Sequence, residues 1–167
     1  MNATSTATPV ASPAFVFKNP VHLLAFGFGS GLSPKMPGTM GTLAALPLWY
    51  LMQLGLNGIE LLLCIGVSFL LGIWLCGKTS EALKVHDHGG IVWDEFVGLW
   101  LTLWFLPNSV AGLAIGFCCF RLFDIWKPWP IRWFDKRVHG GLGIMLDDLL
   151  AALPAAGLAL GILHLIY

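Results

Sequence analysis

Five apolar stretches carry most of this chain, and most of its charge falls between them. They cover residues 43–56 (extendable back to Gly41), 59–77, 96–106, 109–126 and 149–167. A helix that crosses a bilayer needs about 20 mostly apolar residues. Lipid offers no partner for a free backbone N–H or C=O, so stretches of this kind must be helical. The third stretch is short, and its helix must begin with Asp94 and Glu95 at the membrane surface. Residues 21–28 are too short to cross and lie at the interface or re-enter. The expected fold is therefore all-α, a polytopic membrane helical bundle of about five spans with Gly/Pro-rich cytoplasmic loops.

Composition supports this. The chain is 57% hydrophobic and 11% charged, against about 25% charged in soluble domains. A net charge of zero provides no basic field for nucleic acid. Cys64, Cys76, Cys118 and Cys119 sit in apolar runs without metal-ligand spacing and read as small buried hydrophobes. Residues 1–14 are small and polar, with no basic-then-apolar order of a signal peptide. They read as a disordered tail before a single membrane-embedded domain, 15–167.

The connections alternate in character. Asn57-Gly58 and Pro107-Asn108 are tight turns, whereas residues 1–40, 78–94 and 127–148 read as long loops that five spans bring to one side. All nine Lys and Arg lie on that side or close to it, and of nine acids only Glu60 is opposite. The excess of positive charge marks that side as cytoplasmic. Residues 127–138, KPWPIRWFDKRV, interleave Trp and Phe with Arg and Lys in an amphipathic segment suited to the head-group layer. A plain aromatic belt and a substrate contact are both open for it.

Three groups of acids converge on the same side: Asp87 with Asp94 and Glu95, then Asp124 after Arg121, then Asp147 and Asp148. Carboxylates at a membrane boundary are functional candidates. Helix N-terminal capping is the plain alternative for Asp94, Glu95, Asp147 and Asp148. Asp124 resists it, because Pro128 stops the fourth helix nearby and leaves Asp124 in a last turn, where negative charge is disfavoured. Arg121, three residues earlier, can pair with it. Clustered carboxylates repel unless a proton or cation joins them. Hard oxygen ligands beside phosphate suit Mg²⁺. His86 and His88 read as solvated loop residues rather than Zn²⁺ ligands.

Residues 27–42, GFGSGLSPKMPGTMGT, supply complementary donors. Glycines let successive N–H groups converge on an anion, and a helix opening at Gly41-Thr42 favours phosphate at its N-terminus. Ser33, Thr39 and Thr42 add hydroxyls and Lys35 a charge. The spacing is not that of a P-loop.

With these residues assembled, the chain resembles the phosphatidylglycerophosphatase A family. The likeness runs through GFGSGLSPKMPGTMGTLAALPL, DHGGIVWDEFVG, FRLFDIWKPWPI and GLGIMLDDLLAA, in that order, over most of residues 21–152. The resemblance implies a Mg²⁺-dependent, all-helical enzyme of the bacterial inner (cytoplasmic) membrane that converts phosphatidylglycerophosphate to phosphatidylglycerol and phosphate. It carries the family's acidic positions over to Asp87, Asp94, Glu95, Asp124, Asp147 and Asp148, which are the expected metal ligands. Asp94, Glu95, Asp124 and Asp148 are also the expected catalytic acids, with Asp94, Asp124 and Asp147 or Asp148 holding one or two Mg²⁺ and Glu95 a ligand or the general base. Substrate contacts are expected from Lys35, Gly38, Thr39, Gly41, Thr42, Arg121 and Lys127. No phosphatase signature built on a Cys or phospho-His is present, so direct attack by water is the economical route, with an aspartyl-phosphate route open beside it. A CDP-alcohol phosphatidyltransferase and a transporter are the rival readings. The first is disfavoured by its missing acidic signature, the second by charge gathered at one face.

Overall fold

The computed structural model describes residues 11–85 and 87–166, and every regular element among them is helical. Two short helices, α1 (Pro13–Phe17) and α2 (Pro20–Ala25), lead in. Each opens on a proline behind a side-chain cap, Ser12 Oγ accepting from Phe15 N–H at 3.2 Å and Asn19 Oδ1 from Val21 N–H at 2.9 Å. A kinked 3-10 stretch, Gly27–Leu32, follows. The longer helices are α3 (Pro37–Gly55), α4 (Gly58–Leu83), α5 (Trp93–Trp104), α6 (Val110–Trp126) and α8 (Gly140–Ile166), with a one-turn α7 (Ile131–Asp135) between the last two.

Two of these, α4 with 26 residues and α8 with 27, are long and apolar enough to cross a membrane. At 1.5 Å per residue they reach about 40 Å, beyond the roughly 30 Å of a hydrocarbon core. The short α5 spans only about 18 Å. It is also the most enclosed element, with Trp93 to Trp100, Thr102 and Leu103 all buried. It packs against α3, α4, α6 and α8, while α8 packs in turn against α4, α5, α6 and α7. The neighbours shield α5, so it need not present a full apolar face to lipid.

Close packing of α8 on α4 depends on Gly141, where an added Cβ would run into the Ile73 carbonyl and lie 2.8 Å from Gly77 N. One turn on, Met145 covers Gly72. The C-terminal end of α4 is held by α2, where His22 Nδ1 meets Thr79 Oγ1 at 2.9 Å and the ring stacks on Phe15. Burial pushes the His22 pKa down, which favours the neutral ring in that contact.

Several expectations are corrected. The second and fifth apolar stretches extend past the expected spans, so residues 78–83 and 140–148 are helix rather than loop. A Lys78–Glu81 pair at 2.9 Å spans one turn of the first extension, and the small residues around Gly141 let the second lie against α4. The first long helix, α3, starts at Pro37, not at Gly41-Thr42, because proline suits a first turn. Glu60 completes a capping box with Asn57, a structural task at the far end of α4. Of the expected tail, residues 1–10 lie outside the described residues, as does His86, and Pro13 and Ala14 are helical.

Candidate active site

Three buried acids meet where α5 and α8 face one another. One carboxylate oxygen each from Asp94, Glu95 and Asp148 lies within 4.8 Å of the others. None is a helix cap. The N-cap of α5 is Val92, with no side-chain bond, and Asp147 and Asp148 lie two turns inside α8. The plain alternative therefore fails for Asp147 and Asp148, and for Asp94 and Glu95 it holds only in its dipole part. Asp94 and Glu95 do stand in the first turn of α5, where the helix dipole favours negative charge.

Arg121 closes one side of this group. Its Nη1 donates to Asp124 Oδ2 one turn on along α6, stands 3.6 Å from Glu95 Oε1 and 3.4 Å from Thr42 Oγ1. Asp124 thus holds the guanidinium, as its spacing suggested, and lies beside Asp148. Lys127 closes the other side. It adopts a left-handed conformation at the end of α6, and its Nζ pairs with Asp147 Oδ2 and, at 3.2 Å, with Asp135 Oδ1. Burial opposes the charge on Lys127, but Asp147, Asp148 and Asp135 outweigh it and raise its pKa above the ordinary value.

The first turn of α3 reaches the same place. A Cβ at Gly38 would overlap Glu95 Oε1 and come within 3.2 Å of both terminal nitrogens of Arg121. The N–H groups of Gly38 and Thr39 belong to a first turn that has no earlier carbonyls to bond. It is the Cα of Gly38 that lies against the Glu95 carboxylate and the Arg121 guanidinium.

Other expected residues lie outside the three-acid group, Thr42 at its edge beside Arg121 and Asp87 near enough to repel Asp94 and Asp147. Asp87 is exposed in the loop before α5 and is not one of the three grouped acids. Lys35 is exposed and makes no ion pair among the described residues. Gly41 serves packing, since a Cβ there would sit 2.5 Å from Val92 Cβ, and Thr42 is buried with its hydroxyl donating to Gly38 O. The glycines at 27–31 likewise pack: Gly31 lies on the Gly90 backbone and Gly27 on Val92 and Phe96. They fit the 3-10 stretch against α5 and do not form an anion cradle. His88 Nδ1 accepts from Gly90 N–H at 3.0 Å, a local turn contact. Asp135 was missed, because its segment read only as a membrane-surface stretch.

The donor set suits a hard divalent cation. Asp94 Oδ1, Glu95 Oε2, Asp147 Oδ1 and Asp148 Oδ2 are all buried without a hydrogen-bond partner among the described residues. Buried charge without a partner is strongly disfavoured, and carboxylate oxygens are the ligands Mg²⁺ takes.

The family model of Phosphatidylglycerophosphatase A matches residues 23–163. The chain belongs to that family. It is 54% identical over 157 residues to the Phosphatidylglycerophosphatase A of Escherichia coli (strain K12), covering 93% of this chain and 90% of that protein. It is 50% identical over 139 residues to the protein of the same name from Haemophilus influenzae, covering 82% and 85%. No solved structure matches it significantly. All three acid groups fall inside the matched region of the family.

Proposed function

We infer that this chain is a membrane phosphatase that hydrolyses phosphatidylglycerophosphate to phosphatidylglycerol and phosphate, and that it does so with Mg²⁺ at Asp94, Glu95 and Asp148. The observation that carries the reading is the buried three-acid group with unpartnered oxygens, set against Arg121 and the first turn of α3. The Escherichia coli and Haemophilus influenzae relatives are both named for this phosphatase activity.

Bound Mg²⁺ supplies Lewis-acid charge to the phosphoryl group and acidifies water beside it. The chain's own groups do the rest. Arg121 offers a guanidinium to phosphoryl oxygens, and the Gly38 and Thr39 N–H groups add neutral donors beside it. Asp124 fixes the guanidinium from one side and Glu95 from the other. Donors held in place before the reaction stabilise developing charge without reorganising. Lys127 holds Asp147 and adds positive charge on the opposite side.

The bundle is read as five spans, α3, α4, α5, α6 and α8. The tight turns at 57–58 and 107–108 then lie at one face and the acids at the other. Every Lys and Arg lies on the acid side or near it, which makes that face cytoplasmic. The diacylglycerol stays in lipid while the head group reaches the acids from the surface.

The test is phosphate release from phosphatidylglycerophosphate by the detergent-purified chain, with and without Mg²⁺. Release should require Mg²⁺. It should fall at least about a hundredfold in folded Asp148→Asn or Asp124→Asn, some 2.7 kcal/mol of transition-state stabilisation. Full activity in either variant removes that acid from the site, and release indifferent to chelation removes the metal.

A further inference from the structure

Beside the acid group lies a cavity of about 520 Å³ whose chemistry differs from it, lined by Trp126, Lys127, Trp129, Arg132, Trp133 and Lys136. Lys127 belongs to both places, since its ammonium is tied to Asp147 and Asp135. Arg132 and Lys136 are exposed and have no carboxylate partner among the described residues. Two unneutralised cations thus face a pocket whose third cation reaches into the acid site. The Trp133 wall is steadied by Arg137, 4.2 Å above its ring. On the far side of Trp126 and Trp129 an apolar cleft of about 500 Å³ continues toward Leu153 and Pro154 on α8. Charged pocket and apolar cleft share the same aromatic wall, which suits a ligand with an anionic head and an apolar tail.

The proposed substrate carries two phosphates, a terminal monoester and an inner diester one glycerol away. The acid group with Arg121 accounts for the monoester and leaves the diester without a partner. We propose that the Trp-walled pocket is a second anion subsite, in which Arg132 and Lys136 hold the inner phosphodiester of the lipid while its monoester lies at the acids. This rests on the lipid-phosphatase reading and deepens it. The subsite makes the enzyme selective for a monoester that has a diester next to it, over a lipid whose single phosphate sits directly on diacylglycerol. Cation-to-phosphate bonds are the stronger kind of hydrogen bond, and the aromatic wall keeps water from one side of them.

Binding separates this from turnover. The full chain in uncharged detergent micelles is titrated, with magnesium chelated, against phosphatidylglycerophosphate and against phosphatidate, and Trp fluorescence reads Kd. The wild type should prefer the two-phosphate lipid by about tenfold, near 1.4 kcal/mol. Arg132→Gln with Lys136→Gln should abolish the preference and leave phosphatidate binding unchanged. A charge-matched control, Lys18→Gln with Lys84→Gln, should keep it. Equal weakening for both lipids, or equal weakening in the control, overturns the subsite and makes the segment a general contact with anionic surfaces. Equal binding of both lipids by the wild type overturns it as well. A wild type that keeps the preference yet releases no phosphate with Mg²⁺ supports the subsite and strikes the hydrolase reading alone.

Discussion

At Gly38 the first turn of α3 comes so near Glu95 that a methyl group there would overlap the carboxylate and press on Arg121. Its backbone is ordinary helix, so the demand is for space, not for unusual dihedral angles. Gly38→Ala should therefore leave folding intact and disturb the site. We expect kcat to drop by about tenfold or more, the effect of small misplacements at a reacting centre. The melting temperature should stay within a degree or two. Steady-state kinetics beside a melting curve would check this, and an Ala variant with normal kcat would move α3 away from the chemistry. Arg121 is the second such point, because one guanidinium reaches Asp124, Glu95 and Thr42. A lysine has a point charge and no planar fork, so Arg121→Lys should lose about a hundredfold in kcat/KM. Near-normal kcat/KM in that variant would show that charge alone suffices. The acids and Arg121 were legible from sequence because charge beside apolar helix is costly and stands out. Gly38 was seen as one glycine of a loop, and its real neighbours, Glu95 on α5 and Arg121 on α6, are invisible without the fold. Gly27, Gly31 and Gly41 looked alike in sequence, and only packing separates them from it.

The element that organises the site is α8, which contributes Asp147 and Asp148 from its third turn and packs on four other helices. Its register against α4 is set by Gly141, which has the Ile73 carbonyl where a side chain would go. Gly141→Val should push the two helices apart. Overpacking of this kind costs about 1–3 kcal/mol, so the variant should melt several degrees lower in detergent. It should also lose activity, because Asp148 rides on the displaced helix. Unchanged melting would mean that α8 is free to shift along α4. The apolar periods of α4 and α8 were readable because lipid demands long uninterrupted runs. Their true ends were not, since hydropathy falls at Lys78 and at Asp147 while the backbone stays helical. The short α5 was readable as a helix, but its central position was not. A buried helix and a lipid-facing one carry the same residues when both surroundings are apolar.

For the whole molecule the controlling quantity is charge balance at the acid face. Asp94, Glu95, Asp124, Asp147 and Asp148 gather there with Arg121 and Lys127 as the cations paired to them. Five carboxylates against two cations leave net repulsion in a setting where water is scarce. A cation that binds only the folded chain stabilises it by mass action, about 2.7 kcal/mol at a hundred times its Kd. Adding Mg²⁺ to the chelated protein should accordingly raise its melting temperature by several degrees, in the absence of any substrate. Asp148→Asn makes the argument sharper because two opposed effects are expected from one change. With magnesium chelated, the variant should melt higher than the wild type, since one repelling charge is gone. With magnesium present, its gain should be much smaller, since a ligand is gone too. A variant that is less stable than the wild type under both conditions would show that Asp148 acts through packing. A wild type that ignores magnesium would mean that protons, not a metal, neutralise the group.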